Sequence, residues 1–206
     1  MKKGQLVAAA AILVIAAAAA HAQIGLDVAV SGAGVFSRTA ISTNGTITDS
    51  PTKSVAVFGT VRYHVKKLHA FELNTGHTQN SQMFAVPPDT YRVMTGITEF
   101  TGAYVFTPLQ GTKWQPFLMA GGGALRFSPG TTYIDQVQNS FGTSTTTSLA
   151  FLYGGGTDYM VWKVLGVRLQ YRGLIYKNPD FGVPSRFYTG AKGHMAEPSV
   201  GLLLKF

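Results

Sequence analysis

Three residues near the end of the chain, His194, Glu197 and Ser199, carry the groups of a hydrolytic triad: a nucleophilic hydroxyl, a base, and a carboxylate to orient the base. Their spacing argues against that chemistry. On an extended strand Glu197 and Ser199 share a face, while His194 lies before regular alternation begins, so the sequence sets no triad. His64 and His69 flank a short segment and His77 borders a polar one, none with metal-ligand spacing, and the chain has no cysteine to supply a thiolate. Gly121-Gly122-Gly123 and Gly154-Gly155-Gly156 could cradle a phosphate, yet neither run is followed by Lys-Ser or Lys-Thr, and neither opens a helix. No catalytic residue, metal or cofactor is therefore expected.

What remains is a set of charges embedded in otherwise apolar or small-residue segments: Arg62, Glu72, Glu99, Arg126, Asp158, Arg168 and Arg172. Their meaning depends on the elements that carry them. Alternation with a period of two recurs in eight segments, approximately 25–36, 54–65, 69–78, 93–106, 114–127, 148–161, 166–176 and 196–206. The connections after the second, fourth and sixth segments are short (Lys66 to Leu68, Thr107 to Lys113, Trp162 to Val164). Those over 37–53, 79–92, 128–147 and 177–195 are long and rich in Thr, Ser, Asn, Gly and Pro. An even strand count with strictly alternating short and long connections predicts an all-β, eight-stranded, antiparallel up-and-down transmembrane β-barrel.

Folding the second and third segments about their short turn places Arg62 opposite Glu72, and folding the sixth and seventh places Asp158 opposite Arg168. On a solvated face such pairs would contribute little, whereas inside a narrow barrel they neutralise charges that could not otherwise be there. These four residues are expected to form lumen ion pairs, with Glu99, Arg126 and Arg172 as further lumen charges. An eight-stranded barrel has an interior that side chains can fill, so the lumen should be plugged.

The chain opens with Met1-Lys2-Lys3, an apolar and small-residue run from Leu6 to Ala20, and Ala20-His21-Ala22 before Gln23. That is the pattern of a secretory signal peptide over residues 1–22, cleaved after Ala22 to leave a barrel domain over 23–206. The run is too short and too Ala-rich to serve as a spanning helix. Without cysteine, neither disulfides nor a lipidated N-terminus can hold the exported chain in place. The formal net charge of +8 is spread along the sequence and does not imply nucleic-acid binding. Lys177, Arg186 and Lys192 give the last long segment a basic bias against Asp180, which reads first as a solvated loop and second as a contact for anionic lipopolysaccharide or surface polymers.

Alternation alone cannot say whether the apolar face points outward to lipid or inward, as in a soluble secreted ligand-binding barrel. Aromatic placement favours lipid. Tyr63, Tyr104, Phe106, Trp114, Tyr159 and Phe206 fall near the short-turn ends of the segments, and Phe36, Phe127, Phe151, Tyr153 and Tyr176 near the other ends. Two belts are what membrane interfaces favour.

The last segment ends with Val200, Leu202, Leu204 and Phe206 on one face. With Gly102-Ala103-Tyr104-Val105-Phe106 and the stretch from Pro116 to Gly123, it resembles the outer-membrane β-barrel family that includes the membrane domain of OmpA-type proteins, over 23–206. The resemblance implies that Val200, Leu202, Leu204 and Phe206 form a C-terminal signal read by the barrel-assembly machinery. It also implies a location in the outer membrane of a Gram-negative cell, in contact with lipids and lipopolysaccharide. The periplasmic domain of two-domain members does not follow Phe206, so no cell-wall tether is expected. Such a fold hosts several roles. A structural or surface-interaction role is expected, with the long loops as the place for an external ligand that the sequence does not name. A lipid A-modifying enzyme is the alternative.

Overall fold

The computed structural model describes residues 25–206. The signal peptide expected over 1–22, and its cleavage after Ala22, lie outside the described residues. In chain order the elements are β1 (Leu26–Ser37), β2 (Ala40–Ile41), β3 (Thr48–Asp49), β4 (Ser54–Lys66), β5 (His69–Val86), β6 (Asp89–Phe106), β7 (Trp114–Ile134), β8 (Val137–Gln138), β9 (Thr146–Met160), β10 (Leu165–Lys177), α1 (Pro184–Phe187) and β11 (Lys192–Lys205).

Eight long strands pair antiparallel in the order β1, β4, β5, β6, β7, β9, β10, β11. β1 then pairs with β11 on its other side, which closes the sheet into a barrel. Closure removes every edge, so the wall leaves no unpaired row of backbone groups to meet hydrocarbon. The short connections lie at one end together with Leu26 and Phe206, whose backbone atoms bond to each other.

Two of the expected loops are strand instead. The segment 79–92 is a continuation of the β5–β6 hairpin, paired from Gln79↔Gly96 to Val86↔Asp89 around a tight turn at Pro87-Pro88. Its polar composition marks strands that project beyond the membrane, with one face towards water and the other carrying Asn80, Gln82, Phe84 and Tyr91 into the interior, and cross-strand pairing overrides weak local propensity. β7 likewise runs on to Ile134 before turning back into β8.

The glycine runs have a geometric reason. A Cβ on Gly121 would lie 2.0 Å from the carbonyl oxygen of Gly102, and one on Gly154 2.3 Å from that of Tyr171. These positions face inward where neighbouring strands coil so tightly that only a hydrogen fits.

Facing is consistent around the wall. Inward positions are buried, whereas Val30, Val57, Leu73, Phe100, Leu118, Val200 and Leu202 stand exposed on the outside. The apolar surface is the outer one. A soluble barrel would invert this arrangement.

Candidate functional site

The interior is filled in layers from the short-turn end to the long-loop end. At the short-turn end, β1 turns Asp27 inward to meet the ring of His64 on β4 at 2.7 Å, and Lys205 Nζ donates to Gln115 Oε1 at 2.9 Å.

Above this lies the charged centre. Arg62 Nε donates to Glu72 Oε2 at 2.9 Å, across the β4–β5 pair. On the opposite wall Arg168 holds Asp158 with Nε at 2.7 Å and Nη2 at 2.9 Å, across β9–β10. The two pairs are not separate. Arg62 Nη1 reaches Asp158 Oδ2 at 3.0 Å, and Arg168 Nη1 reaches Glu72 Oε2 at 3.4 Å. The four side chains therefore alternate in sign around a closed ring that crosses the lumen, each almost wholly buried. The ring of Phe117 lies beneath both guanidinium groups, its centroid 4.2 Å from Arg62 and 5.3 Å from Arg168. A closed arrangement matters because a charge buried in low dielectric is tolerated only when paired and hydrogen-bonded.

One layer higher, Arg172 of β10 pairs with Glu99 of β6 and lies 3.3 Å from Glu197 of β11, with its guanidinium 4.4 Å from the centre of the Phe58 ring. The expected lumen positions of Glu99 and Arg172 are occupied, and Glu197 joins them. His194, Glu197 and Ser199 are kept apart: His194 points outward to the Tyr153 hydroxyl at 2.7 Å, Glu197 inward to Arg172, and Ser199 donates to the Gln170 carbonyl at 3.3 Å. Among the described residues no cluster of three or more His, Asp or Glu side chains is arranged to hold a metal.

Arg126 is a correction. It lies exposed on the outer wall between the inward-facing Leu125 and Phe127, in register with Thr98 and Thr147. The reason is strand parity: Phe117, Met119, Leu125 and Phe127 take the inward positions of β7, so Arg126 between the last two must point out. Outward and near the rim, its long side chain can reach water and headgroups. Around and above Arg172 the interior carries a layer of apolar side chains, with Ile97, Leu125, Phe127, Leu152, Leu174, Tyr176 and Met195 buried together. Phe127 and Tyr176, expected in the upper aromatic belt, belong to this interior layer as well. Tyr63, Tyr104 and Trp114 stand exposed outside at the short-turn end, and Phe36 and Phe151 at the other.

The long-loop end is closed by aromatic side chains. Phe84 stacks on Phe187 at 4.4 Å, Phe187 meets Tyr91 and Phe141 edge-on at 5.5 and 5.7 Å, and Phe181 packs against Phe84 at 6.1 Å. Phe181 and Phe187 come from the last loop, which folds over the mouth through α1. Sequence reasoning missed this dome, because two phenylalanines in a polar, Gly- and Pro-containing loop carry no periodic signal. Their presence in such a loop was the only clue.

Asp49 on β3 is buried under the dome and accepts a bond from Asn178 Nδ2 at 2.8 Å. Burial pushes its carboxyl up to about 7, against the pull of that hydrogen bond. The folded dome thus holds the neutral form more tightly than the open loop does. Its stability is greatest at acidic pH and declines as pH rises from the ordinary carboxylate range through about 7. Proteolytic nicking of the 178–191 loop in folded barrels should therefore be slower at pH 5 than at pH 8. Asp49→Asn should flatten that difference, and a difference that survives the substitution would assign it to another group.

In the comparisons with known proteins, the family of outer membrane protein beta-barrel domains matches residues 6–202. No curated protein matches the sequence. Among solved structures, the chain is similar to the Neisserial surface protein NspA, with a TM-score of 0.51 and 16% identity over 88% of this chain and 97% of that one. It is similar to the N-terminal β-barrel domain of OprF from Pseudomonas aeruginosa, with a TM-score of 0.50 and 14% identity over 89% of this chain and 100% of that one. OprG, an outer membrane protein of the same organism, gives a TM-score of 0.50 and 14% identity over 89% and 96% of the two chains. At these identities the likeness is one of fold.

Proposed function

The chain belongs to the family of outer-membrane β-barrel domains, and from that premise we propose that it is a structural, surface-interacting protein of the outer membrane whose lumen is plugged by its own charged side chains. The observation that carries the plug is the ring of Arg62, Glu72, Arg168 and Asp158, which ties opposite walls together at the narrow centre. The aromatic dome adds a second closure at the long-loop end. With both in place, ions have no continuous aqueous path, and any external partner is left with the loops and the outer rim.

The test is electrical. Purified protein in a planar bilayer at neutral pH should show little or no persistent conductance. A large, long-lived open state would overturn the plug.

Export through the signal peptide and insertion by the barrel-assembly machinery complete the reading, with Val200, Leu202, Leu204 and Phe206 as the terminal recognition pattern. Val200 and Leu202 stand exposed on the outer face of the closing strand β11, where a recognition surface would have to be. Deleting Phe206 should lower the yield of heat-shifted, protease-resistant barrel in cells. An unchanged yield would remove Phe206 from that role.

A further inference from the structure

The outer wall carries a cationic groove that none of the lumen chemistry uses. At the long-loop rim Lys177 of β10 and Lys192 of β11 are cross-strand partners, both exposed. The chain leaving β1 brings Arg38 beside them, its backbone N–H donating to the His194 carbonyl at 2.8 Å. A groove of about 520 Å³ opens there, lined among others by Arg38, Ile41, Ile175, Lys192 and His194 and by no acidic side chain. His194 is held in place by the Tyr153 hydroxyl. The wall of the groove is apolar: Ile41 and Ile175 are exposed, and Ile175 sits directly across from the exposed Phe151 of the upper aromatic belt.

This order, cations above and aliphatic and aromatic surface below, is that of a lipid read from headgroup to chain. Arg38 offers a planar fork suited to phosphate oxygens and Lys192 adds a point charge at its edge. Lys177, across the strand pair from Lys192, stands outside the lining with its Nζ 5.4 Å from the centre of the Tyr188 ring. We propose that the groove binds an outer-leaflet glycolipid bearing two phosphates, held by Arg38 and Lys192 with Lys177 flanking the groove on the neighbouring strand, and with an acyl chain along Ile175 and Phe151. The inference rests on the outer-membrane reading, which sets the groove at the height of the outer-leaflet headgroups. It favours a lipid over a free anion because the apolar wall is continuous with the lipid-facing belt.

The experiment is native mass spectrometry of the folded, detergent-solubilised barrel titrated with diphosphorylated lipid A. The same lipid stripped of both phosphates and inorganic phosphate alone serve as comparisons. The triple variant Arg38→Gln, Lys177→Gln, Lys192→Gln should weaken retention of the diphosphorylated lipid by about tenfold or more, since each surface cation contributes measurably to anionic-lipid attraction. Neutralising Lys66, Lys113 and Lys163 at the opposite end by the same substitution should change it by less than about twofold, if attraction is confined to within a Debye length of the groove. Equal retention by wild type and triple variant would overturn the site. So would equal loss in the opposite-end variant, or retention of the phosphate-free lipid as strong as that of the phosphorylated one. Displacement of the lipid by millimolar inorganic phosphate would overturn the lipid assignment. Should the triple variant not fold, the contrast between the two lipids on wild type decides alone. Heat-shifted gel mobility of the wild type is read first: its loss would count against the membrane barrel itself, whereas a normal shift without phosphate-dependent retention rejects only the groove.

Discussion

Neutralising one member of the lumen ring, Arg62→Gln, should destabilise the barrel by about 3–5 kcal/mol, the cost expected when a buried ion pair loses one partner. The substitution leaves Glu72 and Asp158 buried with Arg168 as their single cation. The ring also changes what a charge exchange should do. If Arg62 and Glu72 formed an isolated pair, R62E/E72R together would restore attraction and cost little. They do not form one. The exchange would set a carboxylate at 62 against Asp158, where the present contact is 3.0 Å, and a guanidinium at 72 against Arg168, where it is 3.4 Å. The double exchange should therefore remain costly, and only the fourfold exchange that adds D158R and R168D restores alternating signs all round. Denaturant titrations of folding into lipid vesicles give the order directly. A double exchange as stable as wild type would show that the two pairs act independently and that no ring operates.

Leu202→Arg should cost about 2–4 kcal/mol if the position lies near the bilayer midplane, and less towards an interface. Leu202 is 63% exposed on the outer face, beside Val30 on one neighbouring strand and Val167 on the other. A cation there has hydrocarbon around it and no carboxylate within the wall. Arg126 supplies the internal contrast, an outward arginine accommodated because it stands at the rim. The same vesicle titrations measure the effect. A harmless Leu202→Arg would mean that this face of β11 does not contact hydrocarbon.

The two predictions draw on different kinds of information. That Leu202 faces away from Ser199 and Gly201 follows from alternation within one strand. That Arg62 meets Glu72, and Asp158 meets Arg168, follows from folding each hairpin about a short turn. Both are local rules, with at most a few residues between the partners and the turn that aligns them. The strand count and the alternation of short and long connections were legible for the same reason, because period and turn composition are written along the chain.

Arg126 shows where charge misleads. Its charge suggested the lumen, but Phe117, Met119, Leu125 and Phe127 all point inward, and their odd parity sends Arg126 out, although the inward position beside it, Leu125, faces Glu99. Parity was present in the sequence, and the expectation set the charge above it. Phe127 and Tyr176 moved from belt to interior by the same alternation, each sharing the face of buried neighbours such as Leu125 and Leu174.

By itself, then, the sequence determined the membrane-spanning parts of the eight long strands, the registers of the β4–β5 and β9–β10 hairpins, the apolar terminal face and the two cross-strand charge pairs, all of which depend on neighbours close along the chain. Only the tertiary structure decided that the pairs fuse into one ring, that Glu197 joins Arg172 instead of a triad, that Phe181 and Phe187 seal the mouth, and that Arg38 comes to stand beside Lys177 and Lys192. The ring, the sealed mouth and the approach of Arg38 need the sheet to close, β1 against β11, and closure brings together residues whose separation along the chain leaves no periodic trace. Glu197 meets Arg172 as a cross-strand partner on β10 and β11, in a register that the long connection between those strands does not announce.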